Sequence, residues 1–67
     1  MKVLKVIELL SSSSISWEDA TKKAVLEANK SLKGIKSVYI QDMSATVDDG
    51  EVTEYRVNAK ITFEVKS

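Results

Sequence analysis

The sequence predicts an α+β domain in the order β-α-β-β, with a three-stranded antiparallel sheet and one helix. Three observations predict it. Tyr55, Val57, Ala59, Ile61, Phe63 and Val65 alternate with Glu54, Arg56, Asn58, Lys60, Thr62 and Glu64, the two-residue period of a strand with one buried face. Ala20, Ala24, Ala28 and Leu32 recur every fourth residue, which lines them up along one side of a helix. Asp48-Asp49-Gly50 separates two long runs of strand character, and this is hairpin turn chemistry.

The first strand is expected over about 2–10. Its Ile7 and Leu9 fall on one face and Val6 and Leu10 on the other, so both faces ask for cover. A single helix can cover only one face of a sheet, which points to a second copy for the other. Ser11 to Ser14 reads as an exposed loop.

The helix is expected over about 17–33. Ser16 is placed to accept from the first-turn N–H groups, with Asp19 as an approximate reciprocal partner, and Glu18 and Asp19 complement the helix dipole. Leu26 lies off the alanine stripe and is a candidate contact between copies, while Gly34 beside Lys33 is the expected helix terminator.

The second strand is expected over about 35–47. Val38 and Ile40 share one face, but after Asp42 the apolar positions become Met43, Ala45 and Val47. A change of parity inside one strand implies a bulge near Asp42. The third strand, about 51–65, follows the hairpin and belongs in the centre, antiparallel to both others. Residues 1–67 form a single domain.

Composition narrows the function classes. At 67 residues the core is marginal for an isolated domain, and such domains usually need further support. With no Cys there is no disulfide, and with no His as well the ordinary zinc sites and His-activated nucleophiles are out of reach. Self-association is the remaining support. Ten basic and ten acidic residues balance, and Arg56 is the sole Arg, so the basic footprint of a nucleic-acid binder is missing. Met1 to Leu10 is interrupted by Lys2, Lys5 and Glu8 and fits neither a signal peptide nor a membrane span. The expectation is a cytoplasmic protein without nucleic-acid or membrane partners.

Lys5-Val6-Ile7-Glu8-Leu9, the serine turn, Ser16-Trp17-Glu18-Asp19-Ala20 and the Tyr55-Arg56 to Phe63 strand occur together in this order. Their order and spacing resemble the dodecin family over essentially the whole chain. The resemblance implies a hollow homododecamer that binds and stores a small molecule, typically a flavin such as riboflavin or FMN at subunit interfaces, and catalyses no reaction. The family's flavin-stacking Trp corresponds here to Ser37, and its flavin-bonding Gln to Arg56. Loss of the ring platform removes stacking worth ~0.5–1.5 kcal/mol beyond area burial, so ordinary flavin stacking is expected to be impaired. Trp17 together with Tyr55-Arg56 resembles the calcium-binding, non-flavin branch.

The expected ligand lining is Ser37, Tyr39, Gln41, Arg56 and Asn58. Arg56 either pairs with Glu54, Glu64 or a symmetry mate, or binds an anionic ligand bidentately. Tyr39 is either a cross-strand packing partner or a partial replacement for the lost aromatic. The weak metal candidates are Asp42, Asp48, Asp49 and Glu51, for an ion that takes roughly six to eight oxygens. Their spacing is not that of an EF-hand loop. Flavin in a changed pose and a ligand-free or calcium-binding assembly remain as alternatives. Glu54 or Glu64 beside Lys60 is explained by ion pairing, so no enzyme is expected.

Overall fold

The computed structural model describes residues 2–65. Four elements follow in the expected order: β1 (Val3–Ser13), α1 (Trp17–Asn29), β2 (Ile35–Asp48) and β3 (Glu51–Val65). The sheet order is β1-β3-β2 with both pairings antiparallel. The long alternating strand is therefore central, and each neighbour leaves one edge unpaired. Among the described residues, no helix is long and apolar enough to cross a membrane.

Period two in β3 sorts the molecule into two faces. Val57, Ala59 and Ile61 are buried under the helix, whose own buried residues are Ala20, Ala24 and Ala28. Methyl side chains on the helix let its axis lie close over the sheet. The price is a thin core. Accessible surface is 5071 Å², against about 4,200 Å² for a compact monomer of this mass. The radius of gyration is 13.7 Å, against roughly 11 Å for a compact chain of this length. Leu10 is 82% exposed, and Leu4, Val6, Leu26 and Met43 are also more than half exposed. A slab with this much exposed apolar surface presents a face suited to contact with another surface.

Two expected boundaries move. β1 does not stop near residue 10 but runs to Ser13, pairing Ser11, Ser12 and Ser13 with Val57, Arg56 and Tyr55. Ser11 to Ser13 are thus strand, because the long β3 supplies ladder partners to residues with little strand pattern of their own, and Ser14 alone of the run stays outside it. Ser13 is buried. Its hydroxyl donates to Asp19 Oδ2 at 2.6 Å and accepts from the Ile15 and Ser16 N–H groups at 2.9 and 3.4 Å.

The helix ends at Asn29 rather than near residue 33. Leu32 N–H still returns to the Ala28 carbonyl at 2.9 Å, but the chain has already left the helix. Gly34, at φ +76°, is not the helix terminator. Its carbonyl accepts from Glu64 N–H at 2.9 Å and carries the chain into β2.

At the other helix end Ser16 accepts from Asp19 N–H at 2.9 Å, as the cap signature predicts. The return half of the box differs: Asp19 binds Ser13 and Lys23, and Ser13 takes the Ser16 N–H. The Ser13 hydroxyl, followed by the Lys23 ammonium 3.2 Å away, lowers the Asp19 pKa. In the hairpin, Asp48 pairs with Glu51, and Asp49 and Gly50 both take positive φ, as a two-residue type I′ turn requires.

Candidate functional site

The β2–β3 ladder carries the bulge that the parity change requires. Ile40 pairs with Ala59 and Asp42 with Asn58, so Gln41 is the extra residue. Further irregularities fall between Ile35 and Ser37 and between Thr46 and Val47. Past the Gln41 bulge the even residues of β2 take the face turned away from the helix. Ser44 stands across from Arg56, and Arg56 across from Ser12 of β1.

Strand twist and the bulge together make a shallow hollow of about 550 Å³ on this open face, with Leu10 and Ser12 from β1, Arg56 and Asn58 from β3, and Asp42 and Ser44 from β2 along it. It is a polar site with one cation and one carboxylate. Arg56 has no ion-pair partner among the described residues. Asn58 Oδ1 is enclosed yet accepts no hydrogen bond among the described residues, which leaves a buried acceptor in want of a donor.

Of the five expected lining residues, Ser37, Tyr39, Arg56 and Asn58 share the open side by register, but they do not all meet. Arg56 and Asn58 line the hollow. Ser37 pairs with Thr62 and Tyr39 with Lys60, further along the sheet, and Gln41 occupies the bulge beside Asp42. Of the metal candidates, Asp42 alone lines the hollow, while Asp48, Asp49 and Glu51 sit at the hairpin tip. No group of three or more His, Cys, Asp or Glu converges among the described residues, so one copy does not by itself offer a calcium cage. No aromatic ring lines the hollow either, which does not fit a stacked isoalloxazine within one copy.

Sequence reasoning missed Leu10, Ser12 and Ser44. By pattern alone Leu10 belongs to a covered face and Ser12 to a loop, and Ser44 joins Arg56 only through the register set by the bulge. Trp17 belongs to the same region from the opposite side: its Nε1–H donates to the Ser44 carbonyl at 2.9 Å. Its ring meets Tyr55 edge-on at 4.9 Å between centroids, with planes at 75°.

The dodecin family profile matches residues 3–66. The calcium dodecin of Mycobacterium tuberculosis is 30% identical over 66 residues, covering 98% of this chain and 93% of the relative. The crystal structure of that calcium-chelating protein, which carries a calcium-binding site described as novel, superposes with a TM-score of 0.82 at 31% identity over 96% of this chain and 91% of its own. An arginine-to-alanine mutant of the Thermus thermophilus dodecin superposes with a TM-score of 0.95 at 27% identity over 100% of both chains. Profile, sequence and fold agree over nearly the full length, and the chain belongs to the dodecin family.

Proposed function

We propose that this chain assembles into a homododecamer that binds and sequesters a small anionic molecule, gripped by Arg56 rather than stacked on a ring. The observation that carries the reading is Arg56 itself, standing in the open-face hollow without an ion-pair partner among the described residues. A guanidinium offers a planar fork that matches carboxylate and phosphate oxygens. Ser12 and Ser44 flank it with hydroxyls. Assembly is supported by the exposed apolar residues of the open face and by family membership. The role is binding in the cytoplasm and not catalysis.

Flavin remains a ligand class for this site in a changed pose, with a phosphate at Arg56 and Tyr39 further along the same face. Binding of FMN and riboflavin, followed by quenching of flavin fluorescence, tests this together with inorganic pyrophosphate followed by calorimetry. The expected result is FMN binding roughly tenfold to a hundredfold tighter than riboflavin, the range of a hydrogen bond to a charged group, with loss of that margin in Arg56→Ala. Ser37→Trp restores a stacking platform and is expected to tighten both flavins. If neither FMN nor pyrophosphate bound, anion recognition at Arg56 would be wrong.

A second reading, calcium, is favoured by the M. tuberculosis relative and by Asp42 at the hollow. It needs carboxylates from more than one copy, because one copy gathers too few.

A further inference from the structure

We infer that Trp17 is a positioning residue of the hollow, holding the Ser44–Arg56 rung in place from the helix side of the sheet. The functional meaning of this inference rests on the ligand reading given above, but the mechanical claim stands on separate observations. β2 is an edge strand, so its outward carbonyls have no ladder partner. The Ser44 carbonyl receives the Trp17 Nε1–H at 2.9 Å. Ser44 lies two residues past Asp42, just beyond the bulge that interrupts the ladder and bends the strand.

The same indole also grips β3. Its edge-on contact falls on Tyr55, which pairs with Ala45 and immediately precedes Arg56. Trp17 is fixed in turn: it is the first helical residue after the Ser16 cap, and its carbonyl accepts from Thr21 Oγ1 at 2.9 Å. One side chain therefore ties the start of the helix to both strands at adjacent rungs. Ser44 and Arg56, which turn their side chains to the opposite face, both line the hollow. A rotation of β2 about the bulge would change the spacing between the Ser44 hydroxyl and the guanidinium, and the indole opposes that rotation.

Trp17→Phe bears mainly on the first grip, since it keeps a smaller ring for Tyr55 and deletes the N–H donor. Residue-resolved amide exchange on the assembled protein is the measurement, with Ala28→Gly at the far end of the helix as a variant that weakens packing without touching the rung. In Trp17→Phe, amides of 42–46 and 55–57 are expected to exchange roughly threefold to tenfold faster, the scale of one hydrogen bond, with the rest of the sheet unchanged. Ala28→Gly is expected to show no such local pattern. A uniform change in Trp17→Phe, or none, overturns the inference.

Pyrophosphate affinity supplies a readout that general loosening would not move selectively. It is expected to fall several-fold in Trp17→Phe with assembly intact, and an unchanged affinity overturns the positioning role. If pyrophosphate does not bind the unaltered chain, the ligand reading fails alone and amide exchange decides the role of Trp17.

Discussion

The two faces of the sheet are made from the same three strands and solve opposite problems. Beneath the helix one face is apolar, closed and built from small residues: Ala20, Ala24 and Ala28 against Val57, Ala59 and Ile61. The open face mixes Arg56, Asn58, Lys60 and Thr62 with exposed Leu4, Val6 and Leu10. The first face stabilises the protomer, and the second is left for what the protomer meets. Chemistry that concentrates on one face can vary without disturbing the other, because adjacent residues of a strand answer to different neighbours.

The comparison breaks most severely at Ile61, the largest side chain on the helix face with no exposure. Ile61→Ala is expected to destabilise by about 2–5 kcal/mol, seen as a lower denaturant midpoint, because alanines around it cannot expand to fill the void. A small loss would mean that the core collapses easily, and the division of labour would weaken.

Leu10→Ser sharpens the contrast on the other side. Leu10 is 82% exposed in a single copy, and a free-standing surface position of that kind would change stability by no more than about 0.5 kcal/mol. If the open face is covered in the assembly, the substitution is expected to lower the assembly's thermal midpoint and raise the dissociated fraction in sedimentation. Unchanged sedimentation would place Leu10 outside any interface between copies.

The smallest effect is expected at the Ser13–Asp19 contact, which joins β1 to the helix start. The folded-state pKa of Asp19 is lowered, first by the Ser13 hydroxyl and then by Lys23. A depressed carboxylate contributes stability that is present above its ordinary unfolded value and is lost as pH falls through the lower folded value. An acid titration followed by circular dichroism should therefore show Asp19→Asn converging with the unaltered chain at the acid end. Parallel curves down to the lowest pH would assign the contact no role in acid stability.

Much of this was legible in the chain because each signal was local. The β3 alternation, the Ser16 cap, the Asp49-Gly50 turn and the alanine stripe all act within a few residues. Ser11–Ser13 misled because its strand partners lie in β3, more than forty positions away, and nothing in three serines announces them. Gly34 misled for a related reason: its positive φ serves the strand entry held by Glu64, not the helix end. In the site, Arg56 and Asn58 were readable from period two, whereas their meeting with Asp42, Ser44 and Ser12 is a matter of register. Register across three strands is a tertiary property, and one residue of slip would have produced a different list.

The Gln41 bulge has a consequence for how this chain can change length. On either side of it the faces are already in step: Ile40 and Met43 look toward the helix, and Asp42 and Ser44 look away. Removing Gln41 would leave a regular alternation with every other residue on its present side. Removing a residue within the regular stretches beside it would turn the intervening side chains over. Gln41 is thus a joint where one codon can be lost with the two-sided pattern intact, at the cost of the bend that shapes the hollow.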